Sequence, residues 1–335
     1  MKKLVLGACG IVGSHVALQL AASGAHVKAA KRPGSSTERL ERLFAIYDAQ
    51  HLTAQLEWVD VDIEDPYSIE EALEGCDEVY HCAGYVSFRS SEREKLFRIN
   101  EGGTRNVVNA CLYKGHVTLC YVSSVATIHN EDLRRKMTEQ VFWKKSGHES
   151  YYAISKYNAE REVWRAIEEG LKAVIVNPGV ILSAGFGNQS SSRMFETCRK
   201  GNLFYPPGTT AYIYAGDLAK IMLALTQKGL YGERYIVIEG NYSYQAIFSR
   251  VQQNFGQRPP LIRAGKWILR AGWLVERILS LFGREPALTR SLIRSALNNQ
   301  QFDGSKVVET LGIELTPVMT AIDKICLQIA AEPQK

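Results

Sequence analysis

Short apolar, β-branched runs alternate with longer stretches of helical periodicity from the start of the chain. Residues 3–6, 27–30, 56–60, 78–81, 117–122 and 173–176 have the length and composition of buried strands. Between several of them lie segments 12–22, 96–112 and 153–167, whose apolar residues recur every three or four positions. Buried strands alternating with amphipathic helices predict right-handed βαβ units. The fold class expected is therefore α/β, a Rossmann-type doubly wound parallel sheet with helices on both faces.

After Pro178 this rhythm breaks. Residues 183–211 are rich in Gly, Ser, Pro and aromatics, which predicts a long functional loop region. A helix at 217–227 and a strand at 234–238 follow, then a mostly helical tail from Ser243. The expected division is a dinucleotide-binding domain formed by 1–182 with 212–238, and a smaller, mostly helical substrate-binding domain formed by 183–211 and 239–335.

The chain has 335 residues, 46% of them hydrophobic, enough for a sizeable core. Its net charge of +5 is modest, and basic residues alternate with acidic ones, as in Glu92-Arg93-Glu94-Lys95. That pattern reads as a solvated helix face, so no nucleic-acid partner is expected. The seven cysteines form no CxxC pair and most sit in apolar runs, as reduced thiols of a cytoplasmic protein do. The seven histidines have no ligand spacing, and no metal is expected. Lys2-Lys3 followed by apolar residues has the outline of a secretory signal, but Gly7, Gly10 and Gly13 interrupt the run, and His15 and Gln19 fall inside it. No stretch reaches the ~20 apolar residues needed to span a bilayer, so no integral membrane segment is expected.

The three glycines have a better use. Gly7-Ala8-Cys9-Gly10-Ile11-Val12-Gly13 follows the first strand and opens a helix. Gly7 permits a tight turn, Gly10 lets the backbone approach a pyrophosphate, and Gly13 allows close helix–strand packing, while the N–H groups at Ile11 and Val12 face the anion. A fold that prefers NAD normally carries an acidic residue ~20 positions later, at the end of the second strand. Here Lys31-Arg32-Pro33-Gly34-Ser35 stands in that place. Lys31 and Arg32 can clamp a 2′-phosphate and Ser35 can add a hydroxyl, so NADP(H) is expected over NAD(H). Asp62 and Ile63, after the third strand, are placed to cover the adenine edge.

Tyr152-Ala153-Ile154-Ser155-Lys156 begins an amphipathic helix. Tyr152 and Lys156, four apart, share a helix face, and a cation close to a phenol favours its ionised form. That arrangement makes a tyrosine able to exchange a proton with a carbonyl or alcohol oxygen. The pair follows the fifth strand, whose end carries Ser123 and Ser124, where the site of an open parallel sheet lies.

These features together resemble an extended short-chain dehydrogenase/reductase, in the branch of 3β-hydroxysteroid dehydrogenases, dihydroflavonol and cinnamoyl-CoA reductases and bacterial hopanoid-associated, sugar-epimerase-like proteins. The resemblance runs nearly the full length, through Gly7–Gly13, Val27–Ser36, Val61–Asp65, Val79–Phe88, Asn100–Cys111, Tyr121–Thr127, Tyr152–Glu160, Asn177–Gly185 and Tyr214–Met222. It implies Tyr152 as acid/base, Lys156 as the ribose-binding lysine that lowers the phenol pKa, and Ser124 as the hydroxyl that holds the reacting carbonyl, with Ser123 the choice if the register slips by one. It further implies Asn100 as holder of a water in a proton relay, His81, Cys82, Ala83 and Gly84 as the wall along the cofactor, and Pro178, Gly179 and Val180 as the turn against the carboxamide. Two positions depart from the pattern: Asn177 where many relatives have Arg, and Gly84 where many have Ala.

The activity implied is reduction of an aldehyde or ketone, or oxidation of the alcohol, on a hydrophobic small molecule; the alternative is a nucleotide-sugar epimerase or dehydratase that retains NAD(P). A dinucleotide-binding regulator without catalysis is disfavoured, because the Tyr/Lys pair is kept. Phe88, Phe142, Trp143, Phe186, Phe195, Phe204 and Tyr205 fall in the segments expected to cover the cleft, and Arg193, Arg199 and Lys200 could serve a diphosphate. Residues 263–282 form an apolar helix with basic residues at intervals, read as a packing helix in preference to one lying on a membrane. The partners expected are a small-molecule carbonyl or alcohol and, if the protein is a homodimer, a second copy.

Overall fold

The structure is a computed structural model and describes residues 2–129, 136–141, 143–144, 147–187, 191–280 and 289–331. The first half alternates as expected: β1 (Lys2–Leu6), α1 (Ile11–Ala22), β2 (His26–Lys31), α2 (Glu38–Ile46), β3 (Leu56–Asp60), α3 (Pro66–Ala72) and β4 (Glu78–His81). Next, α4 (Arg93–Leu96) passes through a π turn at Phe97–Gly102 into α5 (Gly103–Lys114), then come β5 (Thr118–Val122), α6 (Tyr151–Glu168) and β6 (Ala173–Pro178). Further along, β7 (Val180–Leu182), α7 (Ser192–Arg199), β8 (Phe204–Tyr205), β9 (Thr209–Tyr214), α8 (Ala215–Gln227) and β10 (Glu233–Val237) follow. The remainder comprises β11 (Gly240–Ser243), α9 (Tyr244–Asn254), β12 (Ile262–Arg263), α10 (Lys266–Ser280), α11 (Arg290–Leu297), α12 (Ser305–Leu311) and α13 (Val318–Ala331).

Seven parallel strands form the main sheet in the order β10-β6-β5-β4-β1-β2-β3. The order in which successive strands are added switches sides between β1 and β4, so the C-terminal ends of these two parallel strands open the crevice in which doubly wound sheets bind ligands. One face of the sheet is covered by α1, α2 and α8 through Val16, Leu20, Phe44, Leu218 and Met222. The other is covered by α3, α5 and α6 through Ile69, Val107, Cys111, Val163 and Ala166. The central strands β5 and β6 are buried on both faces, which is why they read as apolar runs and not as alternating ones.

Two expectations are corrected. Residues 183–211 are not one long loop: they contain α7 and β8 and begin β9, and Phe195 and Cys198 of α7 are wholly buried against the core that α9 and α13 share. The polar composition concealed a helix of only two turns with a single apolar edge. The tail from Ser243 is not confined to a second unit either, because Val307 and Leu311 of α12 complete the core beneath α8. The second core is built on a three-stranded sheet, β11-β9-β7, which packs beside the cleft. No helix among the described residues is long and apolar enough to cross a membrane.

Candidate active site

The first βα turn has room for backbone only. Gly7 sits at φ +79°, and a Cβ there would lie 2.8 Å from the Ala83 backbone. A Cβ at Gly13 would lie 2.2 Å from the Gly7 carbonyl oxygen. A Cβ at Gly10 would press on the Gly7 carbonyl oxygen at 3.3 Å and would meet nothing else within 4 Å. Gly10 is the N-cap of α1 and supplies no side-chain cap, which leaves the helix's first N–H groups, through Ile11 and Val12, available to an anion. Gly7, Gly10 and Gly13 thus form a cradle that fits a dinucleotide diphosphate. Ala83 forms its other wall, with Cys82 beside it, the thiol held well above its ordinary value by burial.

At the end of β2 the two basic residues have different fates. The Lys31 ammonium lies 2.5 Å from Asp60 at the end of β3, committed to that carboxylate. Arg32 is exposed and opens a turn, Arg32-Pro33-Gly34-Ser35, closed by the Ser35 N–H on the Arg32 carbonyl at 2.9 Å, with Gly34 at φ +73°. Pro-Gly at the two central positions is the chemistry that such a turn demands. Arg39, on the first turn of α2, joins Lys31 in acting on the Cys9 thiol at the glycine turn, so it brings a further cation to this corner. Arg39 belongs to no motif in the sequence; a cation at the start of the helix after the second strand is its one visible signal. Asp62 accepts from the Glu64 N–H at 3.0 Å, and Ile63 turns inward under Gly103, so Ile63 is a core side chain.

At the end of β5 the two serines separate. Ser123 donates to the buried Glu160 carboxylate at 2.6 Å. Ser124 faces the cleft, caps a short turn by accepting from the Ala126 N–H at 3.1 Å, and hydrogen-bonds the Tyr152 phenol. Burial pushes that phenol above its ordinary value, and the bond from Ser124 offsets part of the rise.

Lys156 does not act as the spacing predicted. Its ammonium donates to the Tyr121 hydroxyl at 2.8 Å and to the Val122 carbonyl at 2.7 Å. The four-residue spacing places both residues on one helix face, but the long arm of Lys156 reaches across to the strand, where a carbonyl is a stronger acceptor than a neutral phenol. Burial brings the lysine down to about 7 against the opposing pull of Glu160. Tyr121 passes the contact on to Thr104, whose hydroxyl lies 3.1 Å from His81 Nε2. His81 is buried and held neutral, at about 3.

Asn100 lies in the π turn and is fully engaged. Its amide donates to the Tyr85 carbonyl and to Ser155 Oγ, both at 2.9 Å, and its oxygen accepts from the Tyr85 N–H at 2.7 Å. It clamps the segment following β4 to α6, and both its protons are spent on protein partners. A π turn at such a position is a recurrent mark of a functional site. A Cβ at Gly84 would stand 3.4 Å from Asn100 Oδ1, an ordinary contact, so the departure from Ala there is sterically neutral.

Glu160 is the hub that orients these parts. Besides Ser123 it accepts from Thr127 and from Asn177, both at 2.8 Å, and from Arg234 at 3.1 Å. Arg234 comes from β10, the strand next to β6, so a cation still reaches this carboxylate although Asn stands at 177. The roles of Glu160, Arg234 and Tyr121 are not announced by the sequence; a carboxylate eight residues after Tyr152, on the same helix, is the one visible signal. Pro178 ends β6, and a Cβ at Gly179 would lie 2.6 Å from the Ala211 carbonyl, so the backbone passes too close to β9 for a side chain; Val180 opens β7.

Of the aromatic set, Phe88 lies 5.8 Å from the Tyr152 ring and is partly exposed. Trp143 stacks on Tyr157 at 4.6 Å. Phe186 and Phe195 are core, so they do not line the cleft. Phe204 is exposed, Tyr205 borders a separate cavity of about 270 Å³ with Arg263, and Phe142 lies outside the described residues. Arg199 is paired with Glu196 of its own helix at 3.1 Å, whereas Arg193 and Lys200 are exposed.

A family model described as the NAD dependent epimerase/dehydratase family matches residues 3–237. A Synechocystis sp. protein provisionally named dihydroflavonol 4-reductase is 26% identical over 325 residues, 95% of this chain and 91% of its own. Sterol demethylase protein B of Methylococcus capsulatus is 26% identical over 328 residues, 96% of each chain. Among solved structures, the crystal structure of gox2253 superposes with a TM-score of 0.80 at 27% identity, covering 98% of this chain and 97% of that one.

Proposed function

The chain belongs to the NAD dependent epimerase/dehydratase family as an NAD(P)-dependent enzyme acting on CH–OH or C=O groups, and within that family we propose that it is an NADPH-dependent reductase of a hydrophobic aldehyde or ketone. The observation that carries this reading is the Ser124–Tyr152 pair at the mouth of the crevice, with the phenol held in its protonated form.

NADPH, when bound, supplies a hydride to the carbonyl carbon. The glycine cradle at Gly7, Gly10 and Gly13 would hold the diphosphate, Arg32 and Arg39 the 2′-phosphate, and Lys156 the ribose near the reacting end. Ser124 orients the substrate carbonyl by donating to its oxygen. Tyr152 gives its proton to that oxygen as negative charge develops, which completes the alcohol and leaves a phenolate. The phenol is protonated at neutral pH, as the donor in a reduction must be. Asn100, with both amide protons committed, is a positioning residue in this scheme.

The substrate class follows from what faces Tyr152. Phe88, 5.8 Å from the Tyr152 ring and exposed in the segment after β4, offers apolar surface there, with the exposed Val86 two residues before it. A nucleotide diphosphate would need convergent cations, and Arg199, one of the three candidates, is already neutralised by Glu196. An NADPH-consumption screen across aldehydes, ketosteroids, dihydroflavonols and nucleotide sugars tests the reading. Oxidation of NADPH with an apolar carbonyl compound is the expected result. Turnover of a nucleotide sugar without net NADPH loss, by protein that releases its dinucleotide only on denaturation, would replace it with the epimerase reading.

A further inference from the structure

Helix α10 shows solvent the wrong face. Trp267, Ile268, Leu274 and Val275 are 79%, 43%, 53% and 55% exposed, and Ala271 between them is exposed as well. Positions 267, 268, 271, 274 and 275 fall on one stripe of a helix with 3.6 residues per turn. The opposite positions, Leu269, Gly272, Trp273 and Glu276, are partly covered, and Arg290 at the start of α11 sits 4.8 Å over the Trp273 ring. The expectation of a helix packed by its apolar residues therefore holds for one side only. The two-stranded ribbon leading into α10 adds Leu203, Phe204, Leu261 and Ile262, all exposed.

Charge decides what such a face fits. From 258 to 277 the chain carries Arg258, Arg263, Lys266, Arg270 and Arg277 against a single acid, Glu276. Arg258, Arg263, Lys266 and Arg270 are exposed, and Arg270 lies 5.7 Å over the Trp267 ring, at the edge of the stripe. An apolar stripe with an exposed tryptophan and a cationic border is the composition of a helix that lies in the plane of a membrane surface. A second copy is a poor fit, because a two-fold contact through this stripe would bring the same cations face to face.

We propose that α10 docks the protein on an anionic lipid bilayer, with Trp267, Ile268, Leu274 and Val275 entering the acyl boundary and Lys266, Arg263 and Arg270 at the headgroup phosphates. The helix packs on α11, whose Arg294 holds the His148 carbonyl just ahead of the Tyr152 helix, so docking would set the cleft mouth near the surface. An apolar substrate could then be taken directly from the lipid phase.

Flotation of the full chain with vesicles of phosphatidylcholine and phosphatidylglycerol in equal parts tests the proposal, against vesicles of phosphatidylcholine alone. Binding should be confined to the anionic vesicles and weaken with salt. Trp267→Glu combined with Leu274→Glu should lower partitioning by about tenfold or more, and Lys266→Gln with Arg270→Gln by about 25-fold, since each cation near such a surface is worth about fivefold. All four positions are exposed, so thermal stability and NADPH binding should stay as in the unsubstituted protein, which separates this test from that of the enzymatic reading. Failure of the unsubstituted chain to float with anionic vesicles, equal flotation with neutral ones, or a dimer in solution that the Trp267/Leu274 pair dissociates would each overturn it.

Discussion

The ammonium of Lys156 is bonded to the hydroxyl of Tyr121, 2.8 Å away on β5, while the phenol of Tyr152, one helical turn before it, pairs with Ser124. The two halves of the Tyr/Lys motif are therefore held by different strand-end partners before any cofactor arrives. Lys156 has two acceptors, Tyr121 and Val122, in a buried place where its charge is costly.

This placement fixes the sign of a pH effect. The lysine falls from its ordinary 10.5 to about 7 in the fold, so between those values the unfolded chain binds more protons than the folded one. Its contribution to stability is lowest below pH ~7 and rises across the window, by up to about 1.4 kcal/mol per pH unit. Lys156→Met removes the linkage. The stability of the cofactor-free protein minus that of Lys156→Met, from urea melts, should increase between pH 7.5 and 9.5 (roughly the middle of the window). A difference that stays flat or falls would contradict the placement.

The serines give a second contrast. Ser124→Ala removes the donor beside Tyr152 and should lower kcat by about 10²–10³-fold with little loss of stability. Ser123→Ala leaves the Glu160 carboxylate one donor short in a buried place, and should cost about 1–3 kcal/mol while turnover changes little. Steady-state kinetics paired with thermal melts on the two variants separates the roles; the reverse assignment would mean that the end of β5 is rotated.

Cofactor choice is the third. Arg32→Ala should weaken NADPH about tenfold to a hundredfold and spare NADH, because a charge-assisted contact is worth ~1.5–3 kcal/mol. Lys31→Ala should weaken it less, since Lys31 already spends its charge on Asp60. Titration of cofactor fluorescence checks both. Equal affinity of the unsubstituted protein for NADPH and NADH would remove the argument.

Much of this fold was legible because the centre of a parallel sheet, buried on both faces, leaves continuous apolar runs: the runs at 3–6 and 173–176 lie within β1 and β6. The glycine turn was legible because its constraint is local, a Cβ at Gly13 colliding with Gly7 only six residues away. What could not be read were partners chosen by tertiary distance. Glu160 and Arg234 are 74 residues apart and meet only because β10 lies beside β6. Lys156 and Tyr121 are separated by 35 residues, and helical spacing carries no information about which strand-end acceptor a long side chain will reach. Helix α7 escaped notice for another reason: its burial rests chiefly on Phe195 and Cys198, too few positions to set a period.

The most direct test compares Tyr152→Phe with Tyr151→Phe in an NADPH-oxidation assay on whichever carbonyl compound the unsubstituted enzyme reduces. Tyr151 is the internal control: it neighbours Tyr152, but it is exposed against Arg93, 5.1 Å from its ring, and Ser155 stands four residues on where Tyr152 has Lys156. Tyr152→Phe should lose about 10²–10⁴-fold in kcat with NADPH affinity and fold intact, and Tyr151→Phe should keep most of its activity. Undiminished turnover by Tyr152→Phe would contradict the account at its centre.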